Sequence, residues 1–218
     1  MTTTRSSDPH AGQPVLAAGA PLAEAQAAMV LVHGRGASAA DILTLTAEFD
    51  RPGFAYLAPQ AAGHTWYPYS FLAPLSSNEP WLTSALGRLD ALLKQIAAAG
   101  LPPERVILLG FSQGACLSLE YAARNAQRYG GVAALSGGLI GPDDAPRDYP
   151  GDLAGTPVFL GCSDVDFHIP KARVQHSTEV LRRLGGSVTE RLYPGMGHTV
   201  NQDEIAHVRA LMDALVER

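Results

Sequence analysis

The 218-residue chain carries 46% hydrophobic and 17% charged residues and a formal net charge of −5, enough apolar material to bury one sizeable core. An acidic balance with no basic run excludes a nucleic-acid surface, and no apolar run reaches membrane-spanning length. Two cysteines, Cys116 and Cys162, give neither a disulfide framework nor metal-ligand spacing. Free thiols in a reducing compartment are expected, and with them a cytoplasmic location.

Residues 1–13 are polar and small and lack the apolar stretch of a signal peptide, so a mobile tail is expected there, with one domain over residues 14–218. The first apolar runs, residues 15–18 and 29–33, read as strands. The second runs into His33-Gly34-Arg35-Gly36-Ala37. A helix is predicted over 39–49 and a strand over 54–58. The stretch 60–77, containing Trp66, Tyr67, Tyr69 and Phe71, has no clear period and is long enough to suggest a functional loop. Helical spacing returns over 78–99, with Leu82, Ala85, Leu86, Leu89, Leu93 and Ile96 on one face.

The strand predicted over 106–110 stops at Gly110-Phe111-Ser112-Gln113-Gly114, and helical spacing follows over 115–129. A serine on such a strand-to-helix turn is pushed into the open above a sheet, at a helix N-terminus that favours developing negative charge. The flanking glycines let strand and helix approach a strained backbone. Further strands are predicted over 132–136, 157–162 and 188–193, and helices over 171–184 and 202–216, the last capped by Asn201 with Glu204 three residues on. Strands alternating with helices, several of them apolar on both faces, imply a mostly parallel α/β sheet.

A serine hydroxyl needs a base, and the base needs an acid to orient it. In hydrolases with this turn the order is Ser, acid, His. His198, in a Gly-rich loop after the last strand, is the best-placed base. Asp164 and Asp166 follow the strand over 157–162, and their two-residue separation leaves either as the acid. The backbone N–H of Gln113 and one from the loop after His33 are the expected oxyanion donors.

Four segments together carry a resemblance: His33-Gly34-Arg35-Gly36, Gly110-Phe111-Ser112-Gln113-Gly114-Ala115, Asp164-Val165-Asp166-Phe167-His168-Ile169-Pro170 and Gly197-His198. They resemble the phospholipase/carboxylesterase family of α/β-hydrolases, which includes the acyl-protein thioesterases. The resemblance implies an α/β-hydrolase fold, with helices on both faces of the sheet and no separate lid domain. It also implies a serine hydrolase of short to medium acyl or aryl carboxylic esters, with acyl thioesters or lysophospholipids as the alternative. The catalytic residues it implies are Ser112, Asp166 (four residues before Pro170) and His198, with oxyanion N–H groups from Arg35 and Gln113.

No metal or organic cofactor is implied. The partner expected is a small-molecule ester, without nucleic acid or membrane insertion; a homodimer is compatible. Phe167 stands where the family usually has Pro, and Ser163 where Gly is usual. Trp66, Tyr67, Phe71, Phe167 and His168 are expected to line the substrate pocket. The Arg35 side chain is read as solvated, or as a lure for an anionic substrate. The His-Gly-Arg-Gly variant with Trp66-Tyr67-Pro68 looks more like bacterial esterases of aromatic-compound degradation than lipid-directed thioesterases.

Two other readings compete. Gly34-Arg35-Gly36-Ala37-Ser38-Ala39 matches a permissive dinucleotide fingerprint, but Asp50 comes before the next strand and too early to hold a ribose. A non-catalytic hydrolase-like binding protein would usually lack a triad member, and all three are present here.

Overall fold

The computed structural model describes residues 8–49 and 51–216; the expected tail over 1–7 and Asp50 lie outside the described residues. Seven strands form one sheet: β1 (Val15–Gly19), β2 (Ala27–Val32), β3 (Phe54–Pro59), β4 (Val106–Phe111), β5 (Gly131–Leu135), β6 (Pro157–Ser163) and β7 (Ser187–Tyr193). Their order is β1-β3-β2-β4-β5-β6-β7. β1 runs antiparallel to β3, and the other pairs are parallel. The chain reverses its direction of travel across the sheet between β2 and β4, the place where open α/β sheets bind ligands.

Five helices complete the fold: α1 (Ala39–Leu43), α2 (Trp81–Ala98), α3 (Gln113–Arg124), α4 (Lys171–Arg183) and α5 (Gln202–Val216). Side chains alternate across the pleat, so Val106 and Leu108 of β4 enter one core with α2, α3 and α4. Ile107 and Leu109 enter the other, with α1 and α5. Each fully buried Leu or Ile contributes about 1.5–3 kcal/mol. Because both faces are covered, all six residues of β2 are buried, which is why the strands read as unbroken apolar runs.

Three helices depart from their predicted spans. α1 gives way to a 3₁₀ turn over Thr44–Glu48, and α2 starts after Pro80. α3 ends at Asn125, whose backbone leaves the helical region. The cap on α5 forms as expected: Glu204 N–H donates to Asn201 Oδ1 (2.9 Å), and Asn201 N–H donates to Glu204 Oε2 (2.9 Å).

Residues 8–13 depart from the expected tail. His10 is buried; its N–H donates to Ser84 Oγ (2.9 Å), its Nδ1 accepts from Ala62 N–H (3.1 Å), and its Nε2 donates to the Trp66 carbonyl (2.9 Å). The N-terminal segment is thus fastened to the 60–77 loop. No helix among the described residues is long and apolar enough to cross a membrane.

Candidate active site

Ser112 sits at φ 55° and ψ −119°, a conformation that costs about 1–3 kcal/mol and persists only when its surroundings enforce it. Its N–H donates to the Leu135 carbonyl (2.9 Å), and its own carbonyl accepts from Cys116 N–H (3.0 Å). The flanking glycines are required by space. A Cβ on Gly110 would lie 2.3 Å from the Gly114 backbone, and one on Gly114 would lie 2.0 Å from the Val32 carbonyl oxygen.

Ser112 Oγ lies 2.8 Å from His198 Nε2, and His198 Nδ1 lies 2.6 Å from Asp166 Oδ2. An ionised Asp166 assigns the proton to Nδ1, leaving Nε2 to accept from the serine hydroxyl. Asp166 is buried, and Oδ1 accepts from the N–H groups of His168 (2.8 Å) and Ile169 (3.1 Å). Burial pushes its carboxyl pKa up. The hydrogen bonds from His198, His168 and Ile169 outweigh that and hold it below the ordinary value. The imidazole is flanked by the Phe111 ring (5.0 Å between centroids) and by His168, edge-on at 4.9 Å.

Asp164, the other acid candidate, turns away to accept from Gly195 N–H (2.8 Å). Ser163 Oγ accepts from the N–H groups of Val165 and Gly197 (each 3.2 Å). These two residues therefore tie the acid loop to the loop that carries His198. Nothing in the sequence pattern announced the Ser163 bridge, although its departure from the usual Gly marked the place.

Arg35 and Gln113 line a cavity of about 480 Å³ together with Ser112 and His198. Among the described residues, neither of their backbone N–H groups has a protein acceptor, as oxyanion donors require. Their side chains share a second task. Arg35 donates to the carbonyls of Tyr67 (2.9 Å), Pro68 (2.8 Å) and Tyr69 (2.7 Å). Gln113 accepts from Trp66 N–H and donates to the Tyr67 carbonyl (each 2.9 Å). The exposed guanidinium is thus also engaged with the carbonyls of the aromatic loop.

Of the expected pocket residues, Tyr67, Phe71 and His168 line this cavity. Trp66 does not. It is fully buried, its Nε1 donates to the His33 carbonyl (2.9 Å), and its ring lies between His33 and His10 at 5.1 and 5.4 Å. Phe167 does not either: it is 82% exposed, its ring 4.5 Å from that of His168. Burial pushes both thiols up to about 12, Cys116 in the cavity wall and Cys162 at 3.8 Å from Asp166 Oδ2. At neutral pH they are unreactive. Among the described residues, no three His, Cys, Asp or Glu side chains are arranged to hold a metal ion.

A family model described as phospholipase/carboxylesterase matches residues 15–216. A solved phospholipase/carboxylesterase structure from Dyadobacter fermentans is 43% identical, with a TM-score of 0.89 over 92% of this chain and 96% of that one. Among curated relatives, acyl-protein thioesterase 1 of Gibberella zeae is 34% identical across 56% of this chain and 52% of its own length. A probable carboxylesterase of Oryza sativa is 29% identical across 65% of this chain and 54% of its own. The chain spans about half the length of these two curated relatives. The chain belongs to the phospholipase/carboxylesterase family.

Proposed function

We propose that this family member is a serine hydrolase that cleaves carboxylic esters through an acyl-enzyme. The observation that carries the reading is the unbroken relay from Ser112 through His198 to Asp166, at 2.8 and 2.6 Å, beneath a strained turn. His198 takes the Ser112 proton as Oγ attacks the carbonyl carbon, and Asp166 holds the ring in the required tautomer and stabilises the imidazolium. The N–H groups of Arg35 and Gln113 receive the oxyanion, each worth about 3–4 kcal/mol of transition-state stabilisation.

His198 then gives its proton to the leaving oxygen, and the alcohol departs. Water, activated by the same imidazole, releases the acid and restores Ser112. The protein groups described complete this cycle without a cofactor. The cavity of about 480 Å³ beside Ser112 suits a short to medium acyl or an aryl group. The free, buried Cys116 and Cys162 are in keeping with a cytoplasmic setting.

A fluorophosphonate probe should label the wild type and fail to label Ser112→Ala; an unlabelled wild type would overturn the reading. Acyl thioesters form a second substrate class, favoured by relatives that are named acyl-protein thioesterases. Matched oxygen and sulfur esters of one acyl group decide between them, with kcat/KM higher for the oxygen ester if the first class is correct.

A further inference from the structure

We propose that the open groove on the far side of His198 holds the alcohol portion of the substrate and selects esters of compact, uncharged, apolar alcohols. The inference rests on the ester-hydrolase reading above. Two cavities meet at Gly34, Ala37, Phe111 and His198. One contains Ser112 with Arg35 and Gln113, so it surrounds the carbonyl carbon and its oxyanion. The other, of about 500 Å³, contains none of these three; it adds Thr199 and Val200, the residues directly after His198, and the end of α1 with the turn that follows it.

The placement follows from where the proton goes. Once the carbonyl carbon is bonded to Ser112 Oγ and its oxygen lies on the two N–H groups, two substituents diverge from it. Collapse of this intermediate breaks the bond to the leaving oxygen, which takes its proton from His198 Nε2. That oxygen must therefore sit against the imidazole, and whatever it carries leaves past His198 into the second groove. The acyl chain takes the direction that remains, along Tyr67 and Ile169 in the first cavity.

The lining sets the chemistry. Ile42 is buried, and Leu45, Val200 and Phe111 are half-buried; together they make an apolar wall. Asp41 stands exposed at the rim. Hydrogen bonds from the Ser38 hydroxyl and N–H hold its carboxyl below the ordinary range, so the rim is negative in ordinary buffers. An alcohol bearing a carboxylate or phosphate would meet like charge there, whereas an alkyl or arylalkyl alcohol packs on the Ile42, Leu45, Phe111 and Val200 wall, with Thr44 and Thr199 as the uncharged polar members of the lining.

The test uses butyrate esters of ethanol and 2-phenylethanol, whose similar basicity leaves leaving-group chemistry nearly constant. For the wild type, kcat/KM for the phenylethyl ester should exceed that for the ethyl ester by about tenfold. Leu45→Trp, which fills the groove, should bring the ratio close to one, and Leu45→Ala should lower it about threefold. Breakdown of the butyryl-enzyme, common to both esters, should not follow the alcohol, because the alcohol has already left. Equal kcat/KM values in the wild type would overturn the proposal. So would a ratio untouched by either substitution, or a Leu45 effect that follows acyl length. Failure of Ser112 to acylate would instead strike the hydrolase reading itself.

Discussion

Glu204 provides the sharpest test of how the His198 loop is anchored. The side chain is fully buried; Oε2 accepts from Asn201 N–H, three residues after His198, while Oε1 has no partner among the described residues. The carboxyl rests on the β6 backbone so closely that a Cβ on Gly161 would lie 2.3 Å from Oε1. Burial pushes its pKa from 4.5 up to about 7, against the Asn201 hydrogen bond, with nearby Asp203 adding to the rise. The folded protein therefore holds this proton more tightly than the unfolded chain. The stabilisation is fully present below pH 4.5 and is lost as pH rises through about 7.

Linkage between those two values makes the loss about 2–3 kcal/mol from pH 5 to pH 8.5. Glu204→Gln keeps an acceptor for Asn201 but removes the titration. Urea unfolding of both proteins at pH 5 and pH 8.5 isolates the effect, because every other titrating group is shared. Relative to the wild type, the variant should gain about 2–3 kcal/mol between the two conditions. Parallel pH profiles would refute the argument.

Arg35→Ala should lower kcat/KM about tenfold, and equally for neutral and carboxylate-bearing esters, since the guanidinium holds the carbonyls of residues 67–69; a loss confined to carboxylate esters would contradict this. Ser163→Ala removes the bridge between Val165 and Gly197. Urea unfolding should then show a loss of about 1–2 kcal/mol, and fluorophosphonate labelling should slow several-fold. His10→Ala breaks the two hydrogen bonds of the imidazole, to the Trp66 carbonyl and from Ala62 N–H, and should cost about 1–3 kcal/mol, seen as a Tm lowered by several degrees. An unchanged Tm would mean that residues 8–13 do not brace the 60–77 loop in solution.

The sequence was most legible where short-range rules act. Seven strands are apolar on both faces or alternate cleanly, and each appears where its run predicts, within two residues. Asn201 and Glu204 cap α5 because the spacing of the cap is local. The order Ser, acid, His was readable as well, with Ser112 and His198 at its ends, and the fold brings Ser112, His198 and Asp166 into hydrogen-bond contact.

Contacts between loops distant in sequence were not legible. His10 meets Trp66 and Ser84 across 56 and 74 residues, so a polar N-terminal stretch looked free when its ring was committed. Trp66 drew attention as an aromatic in a loop, but its indole N–H had a buried carbonyl to find and took the ring into the core. Arg35 is the exposed charge that its surroundings suggest, but its three carbonyl partners, 32 to 34 residues away, leave no periodic trace. Choosing Asp166 over Asp164 required the family pattern; the structure separates them by partner, His198 for one and Gly195 for the other.

Whether Ser112 carries the acyl group during turnover is tested by rapid acid quenching of the enzyme with p-nitrophenyl butyrate, followed by mass spectrometry of the peptide spanning residues 106–124. A butyryl adduct on Ser112 should form within one turnover and be absent from Ser112→Ala. Hydrolysis at an undiminished rate by Ser112→Ala, or an adduct on any other residue that forms and decays at the turnover rate, would contradict it.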